Sequence, residues 1–233
     1  MSVLILRSSG GSEFRTSYST GFAADESPYS DGGVWSRTDL NSKPIISTGG
    51  ICIGTQDGTG GYDDSQGSVT GFDPTARLRA EATLFRSGSI NAENHEVELC
   101  FRTVETTTTT KKYEGLWDRG GQFVWIKWLG NHNFDQFIQC PVTSGSGSSP
   151  TPQDDWRIRC ECETVGSTVV LRGWYATAAD PTTWNLMAIS EDDGTVGGVG
   201  AYLSGMPGVG MYIPNTSANP AHFGLKDYSV TTF

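Results

Sequence analysis

At 233 residues, with 36% hydrophobic and 11% aromatic side chains and only 18% charged ones, the chain has material for one large folded domain and is not a disordered polyelectrolyte. A net charge of −10 and a pI near 4.7 argue against nucleic acid and anionic membrane surfaces as main partners, since both need clustered Lys and Arg. Thirty glycines and ten prolines are the punctuation of many short strands and turns.

The chain opens MSVLILRSSGG. The apolar run at residues 3–6 is too short for the core of a signal peptide, and no stretch reaches the length of a membrane span. Residues 1–20 read either as an arm that docks on a neighbour or as an ordinary first strand, and residues 21–233 as a single domain. Period-2 alternation then dominates. Leu78, Ala80, Ala82 and Leu84 share one face of a strand. Val97, Leu99 and Phe101 do the same, as do Trp156, Ile158, Cys160 and Cys162. Each segment is a half-buried antiparallel strand. A threonine run, Thr106 to Thr110, reads as a strand end or an exposed loop.

Arg119-Gly120-Gly121 separates two strands rich in tryptophan. In the second, Phe123, Trp125 and Leu129 lie on one face, interrupted by Lys127, while Val124, Ile126 and Trp128 lie on the other. A strand apolar on both faces is central and covered on both sides. Plain packing is the preferred reading, with one of Trp117, Trp125 or Trp128 as a candidate wall of a sugar groove, because sugar C–H faces suit an aromatic π cloud. The Gly/Ser stretch at residues 143–150 is a loop tip. Val165-Gly166-Ser167-Thr168 turns a hairpin, and residues 194–200, rich in glycine, make a tight connection between strands. Few segments show a 3.6-residue period and none makes a convincing helix, so the expected fold is all-β: a two-sheet antiparallel sandwich or jelly roll.

Five cysteines, Cys52, Cys100, Cys140, Cys160 and Cys162, show no disulfide spacing. Alternating Cys160 and Cys162 read as small buried hydrophobes, and the set points to folding in a reducing cytoplasm.

Several short patterns recur in a telling order: Ser30-Asp31-Gly32-Gly33-Val34-Trp35, Gly61-Tyr62-Asp63-Asp64-Ser65, His95-Glu96-Val97-Glu98-Leu99 with Arg102, Tyr113-Glu114, Ile126-Lys127-Trp128-Leu129-Gly130, Arg172-Gly173-Trp174, Pro181-Thr182-Thr183-Trp184 and a closing strand from Phe223 to Val230. This series, spanning about residues 28–233, resembles the concanavalin A-like (laminin-G-like) jelly-roll domains of bacterial and tailed-phage structural proteins. The resemblance implies one convex and one concave sheet, frequent carbohydrate recognition, and in some members Ca²⁺ held by a carboxylate of the last strand, for which Asp227 is the matching position. Asp63 and Asp64 are weaker metal candidates, and Asp192 and Asp193 read as a turn. The scaffold does not fix the function.

Glu96 and Glu98 alternate onto one strand face and are the fallback catalytic pair, since glycoside hydrolysis needs two carboxylates. Related glucanases resemble this with a third acidic residue, where this chain has Cys100. The preferred reading is a ladder of opposite charges on a polar sheet face, combining Arg77, Arg79, Glu81, Glu96, Glu98, Arg102, Arg157, Arg159, Glu161 and Glu163. Arg79 and Arg102 are then candidates for a polar sugar groove. His95, His132 and His222 are scattered, and nucleophile elbows, zinc spacing and phosphate loops are missing.

The expected function is therefore a non-catalytic structural or interaction module. The expected setting is a phage virion, as capsid decoration or a tail or fibre component assembled in the host cytoplasm. Partners would be other virion proteins and copies of itself, as a trimer, with surface glycans as a further ligand. The alternative is a carbohydrate-active enzyme, glycosidase or lyase, or a carbohydrate-binding module.

Overall fold

A computed structural model describes residues 13–37, 43–55, 65–87, 95–106, 108–130, 137–145, 149–212 and 223–233. Residues 1–12, Asp63, Asp64, His132 and His222 lie outside them. Among the described residues there are sixteen strands and two short 3-10 turns, Asp31–Gly33 and Val196–Gly198, and no helix long and apolar enough to cross a membrane.

One sheet runs in the order β10 (Phe137–Gln139), β9 (Phe123–Gly130), β8 (Thr110–Asp118), β7 (Glu96–Glu105), β15 (Met206–Tyr212) and β5 (Ser65–Val69), with β2 (Trp35–Arg37) also on β5. The second runs β4 (Ile51–Gly54), β16 (Phe223–Thr232), β6 (Leu78–Arg86), β12 (Arg157–Val165), β13 (Thr168–Thr177), β14 (Asp180–Asp192) and β11 (Val142–Gly145), with β1 (Ser17–Thr20) also on β16. All these pairings are antiparallel. The strand β3 (Lys43–Thr48) joins the two sheets, antiparallel to β4 and parallel to β5. The fold is the expected all-β sandwich of concanavalin A-like, jelly-roll type.

Alternation decides the core. Leu78, Ala80, Ala82 and Leu84 of β6 and Ile158, Cys160 and Cys162 of β12 face inward from one sheet. Val97, Leu99 and Phe101 of β7, Trp117 of β8 and Phe123 and Trp125 of β9 face them from the other. Small residues oppose large rings. A Cβ at Gly173 would lie 2.2 Å from the Phe123 ring, and one at Gly115 2.6 Å from Cys160 Sγ. Glycine is thus needed where the aromatic rings cross the interior at native density. Both turn expectations hold: β8 and β9 are joined through Arg119–Gly121, and β12 and β13 through Gly166, whose φ is 65°.

The polar outer face of the second sheet carries the charge ladder. Arg79 pairs with Glu161, Arg77 and Arg172 with Glu163, and Arg157 and Arg159 with Glu81. Glu96 and Glu98 are not part of it. They lie on β7, in the other sheet, because alternation tells a residue's face and not its sheet.

Lys127 interrupts an apolar face for a reason. Its ammonium is fully buried, 2.6 Å from Asp192, and donates to the carbonyls of Val196, Val199 and Gly200 at 2.9, 2.9 and 3.2 Å. Asp192 also accepts from the Tyr113 hydroxyl at 2.5 Å, and that hydroxyl accepts from the Tyr202 N–H. Asp192 is a buried strand end that also opens the expected turn: its carboxylate accepts from the Gly194 N–H at 2.9 Å, and Asp193 accepts from the Thr195 N–H and hydroxyl. Burial first, then the charge of Asp192, pushes the Tyr202 phenol up to about 12. The same burial raises the Cys140 thiol to about 12 and Cys162 to about 11.

Two outcomes follow. Lys127→Met leaves a buried carboxylate uncompensated and should lower unfolding free energy in urea by about 3–5 kcal/mol, while Lys127→Met with Asp192→Leu recovers much of it. The five cysteines are all free and buried, so none should react with a thiol reagent until the chain unfolds. Because burial makes the Cys52, Cys140, Cys160 and Cys162 thiols hold their protons more tightly than in the unfolded chain (pKa about 8.5), stability should be unaffected by these four below that pH and fall as pH rises from about 9 through about 11.

Candidate functional site

The face of the first sheet turned away from the core is built by the other row of side chains. On β7 it carries Glu96, Glu98 and Cys100, and on β8 Lys112, Glu114, Leu116 and Asp118. On β9 it carries Val124, Ile126 and Trp128, and on β10 Phe137 and Gln139. Register sets neighbours: Glu96 is opposite Asp118, Cys100 opposite Glu114, Glu114 opposite Ile126 and Trp128 opposite Phe137. Leu116, Val124, Ile126 and Trp128 form a second apolar cluster, separate from the inter-sheet core, with Phe137 packed against it.

A groove of about 240 Å³ opens over this cluster. Ile126, Val124, Leu116, Trp128 and Phe137 line it, with Glu96, Glu114, Asp118, Gln122 and Gln139 as its polar part. Trp128 and Phe137 stand 5.3 Å apart, centroid to centroid, tilted by 51°. Asp118 Oδ1 accepts from the N–H groups of Gly121 and Gln122, which fixes the hairpin at the groove's end.

Beneath the groove lies a buried charged row. The Lys112 ammonium sits 3.0 Å from Glu98 and 2.8 Å from Glu114, and 5.5 Å from the Trp128 ring centroid. All three charged groups are at most 1% exposed. Glycine at 210 on β15 admits the Glu98 carboxylate, since a Cβ there would lie 2.1 Å from it. Glu98, Cys100 and Glu114 bring ligand-type atoms within 4.8 Å of one another, the only such group of three among the described residues. Lys112 already supplies the cation between its two carboxylates, so the donor set does not fit a metal ion.

Of the residues singled out in the sequence, Glu96 and Trp128 reach the groove. Trp117 and Trp125 are fully buried between the sheets, Trp117 against Tyr175 and Trp156, and Trp125 edge-on to Phe123. That placement removes both as sugar platforms. Arg79 is on the far sheet with Glu161. Arg102 is buried at a bulge between Phe101 and Val104, with φ 55°, and its guanidinium donates to the carbonyls of Pro74 and Thr75. It ties a loop down and is not open to a ligand. His95 is buried and its carbonyl accepts from Arg119 N–H.

Asp227 is exposed on β16, and its two oxygens accept from the N–H and hydroxyl of Thr83 at 2.8 Å each. It lines a shallow hollow with Ser19, Thr20, Gly21, Arg157, Tyr228 and Ser229. A cationic Arg157 and a lone carboxylate do not make the many-oxygen cage that Ca²⁺ requires.

Sequence reasoning missed Leu116, Asp118, Gln122, Phe137 and Gln139 as groove residues, and the pairing of Glu114 with Lys112. Alternation through Lys112, Glu114, Leu116 and Asp118 was a usable signal. The three-residue strand β10 is too short to show a period.

No family model and no curated protein matches the chain. Among solved structures, a mutant of the GH43 protein BlXynB from Bacillus licheniformis is 13% identical with a TM-score of 0.50, over 92% of this chain and 39% of that one. Carbohydrate binding module CBM66 from Bacillus subtilis is 12% identical with a TM-score of 0.45, over 85% and 92% of the two chains. The CBM2 module of the evolved Dit of Lactobacillus casei BL23 phage J-1 is 12% identical with a TM-score of 0.47, over 93% and 96%. At such identities the likeness concerns the fold.

The division between core and groove is measurable by denaturation. Trp117→Ala or Trp125→Ala should cost about 3–5 kcal/mol of stability, whereas Gln139→Ala, exposed at the groove, should stay within about 0.5 kcal/mol.

Proposed function

We propose that the chain is a non-catalytic interaction module that binds a glycan in the groove over Ile126, Trp128 and Phe137. The observation that carries this reading is the groove itself: an apolar and aromatic floor bordered by Gln122, Gln139, Asp118 and Glu96. Sugar rings need both parts, a π or apolar surface for their C–H face and amides or carboxylates for their hydroxyls. The buried row beneath supports a binding role over cleavage. Glu98 is out of a ligand's reach, Glu114 is held by Lys112, and a thiol stands at Cys100. The motif order that resembles tailed-phage structural proteins supports a setting in a virion, as capsid decoration or a tail or fibre component.

One observation favours a second reading. Glu96 and Asp118 are opposite each other and both line the groove, and paired carboxylates are what a glycosidase needs.

Calorimetric titration against a panel of oligosaccharides separates the readings. Saturable binding without products, weakened at least about tenfold by Phe137→Ala, a change of about 1.4 kcal/mol, is the expected result. Release of shortened chains that stops in Glu96→Gln would establish the enzyme instead. The virion setting is checked by mass spectrometry of density-purified particles. Peptides of this chain at stoichiometric copy number are expected, and their confinement to the soluble cell fraction would sink it.

A further inference from the structure

We propose that the chain cross-links itself: the Lys127 amine and the Asp192 carboxyl, held in contact between the two sheets, condense to an amide and expel one water. The ion pair is the state of the newly folded chain, and the amide forms from it.

The fold supplies the contact. Lys127 is on β9 of the first sheet and Asp192 ends β14 of the second, and Lys127 Nζ lies 2.6 Å from Asp192 Oδ2. Two groups fixed this closely react as parts of one molecule, which removes much of the entropic barrier that keeps free amines and carboxylates from joining in water. Burial supplies the dryness. Lys127, Asp192 and Tyr113 are all 0% exposed, and the Tyr202 ring covers the ammonium, 4.9 Å from Nζ to centroid. Away from water a charged pair is costly to hold, and one proton moved across the short bond turns it into an amine and a carboxylic acid.

The hydrogen bonds suit each atom to its part. Nζ donates to the carbonyls of Val196, Val199 and Gly200. Once one proton has passed to Oδ2, these carbonyls still hold the two remaining N–H bonds, so the lone pair is left facing Asp192. The Gly194 N–H donates to Asp192 Oδ1 at 2.9 Å, the oxygen on which negative charge gathers as the amine attacks. The Tyr113 hydroxyl donates at 2.5 Å to Oδ2, the oxygen that leaves.

The step balances without a co-reactant. Nζ gives one proton to Oδ2. The Nζ lone pair bonds to Cγ, and the C=O electron pair moves onto Oδ1. Nζ then gives a second proton to Oδ2, the Cγ–Oδ2 bond breaks, and water departs as the pair on Oδ1 returns. One N–H stays on the amide. The five cysteines are all free, so the amide supplies a covalent brace between the sheets that no disulfide provides.

The test is intact-mass spectrometry of the full chain, denatured after storage for days at neutral pH. The expected mass is below that of the sequence by one water molecule. Digestion should release a branched peptide that joins the segment holding Lys127 to the segment holding Asp192. Lys127→Arg keeps the charge, offers no amine, and should keep the full mass. Tyr113→Phe removes the donor at the leaving oxygen and should slow the loss of water at least about tenfold, a barrier change of about 1.4 kcal/mol. A wild-type chain that keeps its full mass would overturn the inference, and that result depends on no variant folding. Water lost without the branched peptide would overturn it too, as when Asp193 closes onto the Gly194 nitrogen to a succinimide, and so would a branch through any other lysine. Equal rates in wild type and Tyr113→Phe would overturn the part given to Tyr113.

Discussion

The buried ammonium of Lys127 is the fastening on which the arrangement of the two sheets depends. Strand β14 belongs to one sheet and β15 to the other, and the glycine-rich connection between them has carbonyls that face the interior. Burying those carbonyls without donors would be costly. Lys127 supplies the donors, and Asp192 at the end of β14 supplies the counter-charge. Desolvating two ions costs several kcal/mol each, and the arrangement offsets this only because each proton of the ammonium has an acceptor. The result is that β15 enters the first sheet at a set register beside β7, which is where Gly210 makes room for Glu98.

A second constraint follows from the first sheet having both faces covered along β8 and β9. One row of side chains must fill the inter-sheet core, and the other must floor the groove. Trp125 and Trp128, three residues apart, therefore have opposite destinies: one fills the interior against Phe123, and the other stands beside Phe137 above Lys112. The charged row formed by Glu98, Lys112 and Glu114 is buried on a face that in a simpler sandwich would be wet, which keeps the groove floor rigid and its carboxylates occupied.

Much of this was legible in the sequence, and the limits have physical causes. Alternation in β6, β7 and β12 named core residues correctly, because a half-buried strand must place every second residue inside. The far-sheet ladder was legible as well, since Arg79 and Glu161 carry opposite charges at matching phases. What alternation cannot supply is which sheet a strand joins. Glu96 and Glu98 have the same phase as the ladder and belong to another face entirely. It also sorted Phe123 and Trp125 from Val124 and Trp128 without saying which set was inward, so Trp117 and Trp125 stood as sugar platforms beside Trp128. Lys127 with Asp192 and Arg102 with Pro74 are long-range partners, and only the folded chain brings them together. The family resemblance conveyed the sandwich and left the groove's lining to the structure.

Strand β1 lies against β16 with Ser17 opposite Thr231 and Thr20 opposite Tyr228, so the start of β1 and the end of β16 lie side by side at the same margin of the sheet. If a module so arranged is tethered at both ends, tension peels β1 from β16 one hydrogen bond at a time, each worth about 0.5–1.5 kcal/mol, and no bond shares the load with the next. Tension between Ser17 and a ligand held in the groove of the opposite sheet would have to cross the packed interior instead. The same domain would then yield readily as a link in a chain and hold firmly as a grip, and its mechanical behaviour would be set by where it is pulled.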